Sequence, residues 1–240
     1  MVHLLPVNAD CSNPPTRPPA HPPHADGSRR ALTLLVPLAL AAIAISTDWT
    51  AVKMAVPVAV AVIVAVPPRT LGLQRWRWWL VAALLCSAVG DWFLSTRGGE
   101  VSRFVAGIAW YLVAHVAYAG MTISRGRVSV PVLAFVGGPI FAFAVAVVTP
   151  AVDDPRLAAA VTVYAAASVF SLAAAAGISD RGRAPVTAAI VLIVCSDLLI
   201  ASSEFLGSDV LSHFILPTYY FAHILFGWDA LLSLPPERNE

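Results

Sequence analysis

Two aspartates lie inside apolar segments of the sequence, and this setting makes them the side chains best suited to do chemistry. Asp91 stands within the stretch Cys86–Leu94, and Asp197 stands within the similar stretch Ile193–Ile200. Each stretch belongs to an apolar run long enough to cross a bilayer, where an ionisable side chain is costly and marks a functional site by default. The sequence therefore predicts that Asp91 and Asp197 are the central residues of a site.

A tyrosine and a histidine follow each aspartate at similar distances. They are four residues apart in both copies, so they share one face of a helix. The Asp-to-His separation is 24 residues in the first copy and 26 residues in the second. This similarity predicts a degenerate repeat whose two copies run in the same direction. The residues expected to bind or orient a substrate are Tyr111, His115, Tyr219, Tyr220 and His223.

The composition indicates what kind of protein must hold these side chains. Of 240 residues, 58% are apolar and 12% are charged, with a mean hydropathy of +0.77, whereas soluble domains contain about 25% charged residues. These values predict an all-α, polytopic transmembrane bundle. The net charge is +1 and the basic residues are scattered between apolar segments, so the membrane, and not nucleic acid, is the expected partner.

A helix needs about 17–25 residues to cross the bilayer, and this length predicts about eight helices in a membrane domain of residues 31–234. Residues 1–30 contain three proline pairs and are expected to form a disordered cytoplasmic tail. Residues 235–240 are expected to form a second one. The second span is short and contains Pro57. The predicted spans are 31–47, 51–66, 78–95, 103–123, 130–149, 157–178, 185–203 and 211–233.

The distribution of Arg and Lys predicts the orientation of the bundle. Eleven of the 15 basic residues fall in the two tails and in the loops after spans two, four and six, and four fall on the opposite side. Because basic residues favour cytoplasmic loops, both termini are predicted to be cytoplasmic. We expect a multi-pass protein of a bacterial-type plasma membrane.

This topology places the candidate residues at similar depths. With a helical rise of about 1.5 Å per residue, Asp91 and Asp197 fall about 18–20 Å from the cytoplasmic edge of a hydrocarbon core about 30 Å thick. The paired tyrosines and histidines fall about 12 and 18 Å below the outer edge. All of these groups are therefore expected to line one cavity in the outer half of the bundle.

Four short motifs carry a resemblance to a known family. They are Gly90–Leu94 with Ala114–Tyr118, and Ser196–Ile200 with Leu216–Tyr220. In these motifs, and over residues 31–234 in span number and motif order, the chain resembles the lysoplasmalogenase (YhhN-type) membrane hydrolases. The resemblance implies a lysophospholipid substrate whose vinyl ether bond is cleaved to a fatty aldehyde and a glycerophospho-alcohol. It also implies that the paired aspartates are the catalytic groups.

Vinyl ether hydrolysis needs both an acid and a base. Protonation of the distal alkene carbon gives an oxocarbenium ion, which water captures as a hemiacetal. Two carboxylates at one depth in a low dielectric do not both ionise easily, so one is expected to keep its proton while the other is the anion. We assign Asp197 as the acid and Asp91 as the base, although the near-symmetry of the repeat allows the reverse. We expect neither a cofactor nor a metal.

Three alternatives stay open at the level of the sequence. Intramembrane aspartates can serve helix packing alone, as interhelical hydrogen bonders. A metal-dependent lipid hydrolase would use His115, His223 and the two aspartates as ligands. A proton-coupled transporter would use the aspartates as a relay, although spans three and seven are not the short or broken helices expected at a transport site.

Overall fold

A computed structural model describes residues 32–47, 49–66 and 74–234, and the predicted tails 1–30 and 235–240 lie outside these residues. Within the described ranges the regular structure is helical, with one isolated bridge between Gly126 and Ile178 and no strand. The prediction of an all-α fold is confirmed.

Eight helices follow one another in the described part of the chain, in the number and order that the sequence predicted. A 3₁₀ turn, Asp209–Phe214, leads directly into the last one. Six helical segments are long and apolar enough to cross a membrane, the last of them being Val210–Leu232 with that turn included. The helices are α1 (Leu35–Ser46), α2 (Thr50–Ala65), α3 (Arg75–Ser95), α4 (Val101–Ile123), α5 (Val130–Ala151), α6 (Pro155–Ala176), α7 (Arg183–Leu206) and α8 (Ile215–Leu232).

The first two helices are shorter than a full span. α1 has 12 residues and α2 has 16. They are therefore about 18 Å and 24 Å long, whereas the hydrocarbon core is about 30 Å thick. Pro57 lies inside α2, where it is buried and cannot donate a backbone hydrogen bond. The prediction of eight apolar helices is confirmed, and six of them are long enough to cross a membrane.

The fifth helix is irregular near its prolines. Leu133–Gly137 and Ala144–Val148 form wider, π-helical turns. The first of these turns precedes Pro139, whose ring clashes with the carbonyl four residues earlier and whose nitrogen carries no hydrogen. α5 is also the least buried of the six long segments, and it carries none of the predicted site residues.

The helices that carry the candidate residues pack around one apolar core. α3 packs along α4, and α7 packs along α8. Leu84 of α3 and Ile190 of α7 are fully buried in this core. Tyr118 of α4 stacks on Phe226 of α8, with ring centroids 4.8 Å apart. The packing therefore brings the two predicted copies side by side.

The outside of the bundle is apolar. Large apolar side chains are exposed on the described helices, among them Val62 of α2, Val113 of α4 and Phe135 of α5, the last 82% exposed. Water-soluble monomers rarely expose large apolar patches, whereas lipid covers such a surface. This exterior and the six long apolar segments fit a multi-pass membrane protein.

A buried arginine side chain links two loops and a helix at one end of the bundle. Arg125, in the loop after α4, donates hydrogen bonds to Asp229 of α8 and to Asp180 in the loop after α6. Burial alone lowers the pKa of the Arg125 guanidinium, but the two carboxylates outweigh it and hold that pKa above its ordinary value. Burial raises the pKa of Asp180, but Arg125 outweighs this effect and holds it below its ordinary value.

A second arginine supports the same end. Arg77, which the sequence analysis assigned to a cytoplasmic loop, lies in the first turn of α3 and is buried. It donates hydrogen bonds to the carbonyl oxygens of Val64, at 3.3 Å, and Ala230, at 2.9 Å. The ring of Trp76 lies against the guanidinium groups of both Arg77 and Arg125. These contacts tie α2, α3 and α8 together.

Candidate active site

Asp91 of α3 is buried between two tyrosines. The Tyr111 hydroxyl donates a hydrogen bond to Asp91 Oδ1, and the Tyr219 hydroxyl donates one to Asp91 Oδ2 at 3.2 Å. Tyr111 comes from α4 and Tyr219 from α8, and their rings meet edge to face. A Cβ atom at Gly90 would stand 3.0 Å from the Tyr111 ring, so the glycine permits this ring to lie against α3.

Asp197 of α7 has a different partner. His115 Nε2 lies 3.0 Å from Asp197 Oδ2. The imidazole is fully buried, whereas the Asp197 side chain is 16% exposed. Asp197 is therefore held from one side by a histidine and is open on another side.

Three polar residues of α6 surround His115, and the sequence analysis missed them. Tyr164 Oη lies 3.1 Å and Ser168 Oγ 3.2 Å from His115 Nε2, while Ser171 Oγ lies 3.1 Å from Nδ1. Their positions differ by four and then three residues, so they form a polar stripe along one face of an alanine-rich helix. A search for this helical periodicity among the few polar residues of span six would have found them.

The contacts cross between the two predicted copies. Asp91 of the first copy is bound by Tyr219 of the second, and Asp197 of the second copy is bound by His115 of the first. The two carboxylates therefore occupy different environments. One accepts hydrogen bonds from two phenols, and the other faces an imidazole.

His223 contacts neither carboxylate. Its Nδ1 lies 2.7 Å from the Tyr219 carbonyl oxygen, and its ring packs on the Tyr219 ring with centroids 4.3 Å apart. Nε2 is buried and has no hydrogen-bond partner among the described residues. The contact with Tyr219 places His223 behind the residue that binds Asp91.

A cavity of about 260 Å³, here called the main cavity, connects the two aspartates. Asp91, Asp197, Tyr111, Tyr219 and Tyr220 all line it, as the sequence analysis expected. His115 and His223 were also expected to line this cavity, but they do not; each contacts a residue that does. The Tyr220 hydroxyl is buried and has no hydrogen-bond partner among the described residues.

A smaller cavity of about 60 Å³, here called the apolar branch, adjoins the main cavity. The two share Leu94, Tyr111, Asp197 and Ile200 in their walls. Beyond these shared residues the wall is apolar except for the Tyr164 phenol. The further wall residues are Phe104, Ile108, Val161, Tyr164, Ala201 and Phe205.

Three charged side chains, here called the ionic end, also line the main cavity. They are Lys53 of α2, Arg97 after α3 and Glu204 of α7. Arg97 Nη2 lies 2.6 Å from Glu204 Oε1, and the two side chains are 32% and 30% exposed. Glu204, near the end of α7, therefore faces the main cavity while it remains partly exposed.

The described residues do not assemble the ligand set that the metal-dependent alternative requires. No group of three or more His, Cys, Asp or Glu side chains comes together in that part of the chain. His115 and Asp197 are adjacent, but His223 contacts Tyr219. The geometry instead brings two carboxylates with different hydrogen-bond partners to one cavity.

Comparisons with known proteins identify a family and two similar proteins. The sequence matches the YhhN family over residues 49–229. It is similar to two curated proteins named "Lysoplasmalogenase", from Mycobacterium bovis and Mycobacterium tuberculosis. Each is 33% identical over 167 residues, which cover 64% of this chain and 60% of the relative. The chain thus spans about 60% of the length of these relatives. No solved structure gives a significant match.

Proposed function

Because the chain belongs to the YhhN family, we propose that it hydrolyses the vinyl ether bond of lysoplasmalogens to a fatty aldehyde and a glycerophospho-alcohol. The name of the two curated relatives supports this activity. The observation that carries the mechanism is the pair of aspartates that line one cavity with unequal partners. An acid and a base at one substrate are what vinyl ether hydrolysis needs.

Asp91 acts as the anionic partner. A carboxylate that accepts two hydroxyl hydrogen bonds is stabilised in its charged form, and Tyr111 and Tyr219 are positioned to donate them. The anion stabilises the positive charge that develops on the oxocarbenium ion. It then takes a proton from the water that attacks this carbon. The product of the attack is a hemiacetal.

Asp197 acts as the acid. It stands where the main cavity meets the apolar branch, so an alkenyl carbon there is within its reach. Its proton goes to the distal alkene carbon, and the electron pair of the double bond forms the new C–H bond. The hemiacetal C–O bond then breaks as Asp91, now protonated, gives its proton to the glycerol oxygen. Asp197, now ionised, takes the proton of the hemiacetal hydroxyl, which becomes the aldehyde carbonyl, so both aspartates return to their starting states. His115 holds Asp197 in place during this cycle.

The remaining predicted site residues have supporting roles in this proposal. Tyr111 and Tyr219 position and stabilise Asp91, and His223 fixes the Tyr219 ring. Tyr220 offers the cavity a hydroxyl that has no protein partner among the described residues, which suits it to bind a substrate oxygen. No step of this mechanism uses a cofactor.

The proposal includes a membrane topology. α1 and α2 cross the bilayer together with the six longer segments, both termini face the cytoplasm, and the carboxylate pair lies in the outer half of a bacterial-type plasma membrane. The basic loops support this orientation. Helices α3–α4 and α7–α8 then form the two copies of a parallel repeat, supported by the matched Asp, Tyr and His positions.

Aldehyde release from a defined lysoplasmalogen by the purified full chain tests the activity. The proposal predicts release of one aldehyde per glycerophospho-alcohol formed. The matched control is the 1-acyl lysophospholipid with the same head group, from which no aldehyde is expected. Equal aldehyde release in samples with and without the protein would contradict the proposal.

A further inference from the structure

The two cavities that meet at Asp197 have opposite chemistry. The main cavity carries Lys53, Arg97 and Glu204 at its ionic end. The apolar branch leads away from Asp197 between α4, α6 and α7 and is lined by side chains such as Phe104 and Phe205. The site thus changes from ionic to apolar across one carboxylate.

A lysoplasmalogen changes in the same way across its vinyl ether bond. The phosphate head group lies on one side of this bond, and the alkenyl chain lies on the other. We infer that the cavity binds the lipid in one direction, with its phosphate at the ionic end and the first part of its chain in the apolar branch. This inference rests on the proposed function and adds the residues that bind each part of the substrate.

The ionic end suits a phosphate with an ammonium head group. Phosphate oxygens accept charge-assisted hydrogen bonds from Arg and Lys, and both kinds of side chain line this end. Glu204, beside Arg97, supplies the opposite charge that an ammonium group requires. Lys53 lines the same cavity as Asp91, so a phosphate held there lies in the cavity that contains the reacting atoms.

Ala201 lines the apolar branch close to Asp197. It follows Asp197 by one helical turn on α7, so both face the same cavity wall. The branch holds only about 60 Å³, and a large side chain at this position fills it next to the acid. The small side chain of Ala201 is therefore what admits the alkenyl chain.

The variant Ala201→Phe tests the position of the alkenyl chain. Two vinyl ether substrates with the same head group are compared by kcat/KM, one with a long alkenyl chain and one, the short-chain substrate, with an ethenyl group that has no chain beyond the vinyl ether. Ala201→Phe should lower the long-chain to short-chain ratio at least about tenfold, the scale on which hydrophobic pockets discriminate. Ala201→Val should shift the ratio in the same direction by less, and it keeps the test decisive if the larger variant does not fold.

The matched control for this arm is Val191→Phe. Val191 is on the same helix, is 41% exposed and lines neither cavity. Val191→Phe should leave the long-chain to short-chain ratio of kcat/KM at the wild-type value. A wild-type ratio in folded Ala201→Phe or Ala201→Val would overturn the assignment of the apolar branch.

The phosphate arm uses Lys53→Met. The substrates are a lysoplasmalogen and the 1-alkenylglycerol that lacks its phosphate. The wild-type preference for the phosphorylated substrate should fall about tenfold in Lys53→Met, the effect of losing about 1.4 kcal/mol of binding. Arg103→Met, at a cation outside the main cavity, should keep the preference.

The outcomes separate this inference from the proposed function. A wild-type protein that releases no aldehyde from any vinyl ether overturns both. A wild-type protein that releases aldehyde, with a Lys53→Met variant that loses equal activity on both substrates or on neither, overturns the orientation alone.

Discussion

Asp91 and Asp197 share a cavity but differ in their hydrogen-bond partners. Tyr111 and Tyr219 give Asp91 two donors, and these donors stabilise its anion. Asp197 faces His115 and the open cavity instead. At the scale of single residues, the two phenol donors at Asp91 are the observation behind our proposal that Asp91 is the base and Asp197 the acid.

Removal of either phenol should weaken catalysis without unfolding the protein. Tyr111→Phe and Tyr219→Phe each keep the ring and delete a donor to Asp91. A hydrogen bond to a charged group contributes about 1.5–3 kcal/mol, so we expect kcat to fall about 10- to 100-fold. The measurement is aldehyde release by each purified variant.

Tyr118→Phe is the matched control for these two variants. Tyr118 is buried in the core, its hydroxyl lies 3.5 Å from Ser87 Oγ, and it does not line the main cavity. It should keep kcat near the wild-type value. If Tyr111→Phe and Tyr219→Phe were as active as Tyr118→Phe, the tyrosines would have no role in charge stabilisation.

At the scale of helices, the sequence predicted which segments carry the site but not how they face each other. The apolar runs marked eight helices, and the rise per residue placed Asp91 and Asp197 at one depth. Depth does not determine the rotation of a helix about its own axis. The crossed contacts of Tyr219 and His115, and the polar stripe of α6, depend on that rotation and on packing. These contacts could therefore not be predicted from the sequence.

The buried Arg125 should contribute strongly to the stability of the helix ends. The side chain of Asp229 is 1% exposed, and removal of one partner of a buried ion pair costs about 3–5 kcal/mol because the other charge stays buried. Arg125→Met should therefore lower the unfolding temperature of the detergent-solubilised protein markedly. Asp180→Asn should lower it far less, because the Asp180 side chain is 46% exposed and such pairs contribute about 0–1 kcal/mol.

Thermal unfolding of the two variants at neutral pH distinguishes the buried Arg125–Asp229 ion pair from a surface contact. Equal unfolding temperatures for Arg125→Met and Asp180→Asn would contradict a stabilising role of the buried pair. The pKa of Asp180 lies below its ordinary value. The smaller contribution of Asp180 to the stability of the fold is therefore fully present at any pH above that ordinary pKa. This contribution is lost as the pH falls through the pKa of the folded state.

At the scale of the whole molecule, the six long segments and the apolar exterior agree with the composition. The family match begins at residue 49 and ends at residue 229, so it includes every predicted site residue and omits the predicted tails. The ends of α2 were predicted to within one residue, as 51–66 against Thr50–Ala65. The predicted span 31–47 begins four residues before α1, Leu35–Ser46, because hydropathy alone does not locate a helix end.

Reporter fusions should locate the loop after α4 in the cytoplasm. This loop carries Arg125 and Arg127, and the loop after α6 carries Arg181 and Arg183, which is the pattern that retains loops on the cytoplasmic side. A fusion after Arg127 should be active with a cytoplasmic reporter, and one after Glu100 should be active with an extracytoplasmic reporter. The reverse pattern would contradict the proposed orientation.

The vinyl ether hydrolase activity of Asp91→Asn and Asp197→Asn is the most direct measurement of the central claim. Asn keeps the shape of each side chain but cannot exchange a proton, so each variant should lose at least about a hundredfold in turnover, the low end for acid–base groups. The double variant should be little worse than either single one, because losses within one catalytic unit are not additive. Folded Asp91→Asn or Asp197→Asn protein with near-normal turnover would contradict the two-carboxylate mechanism.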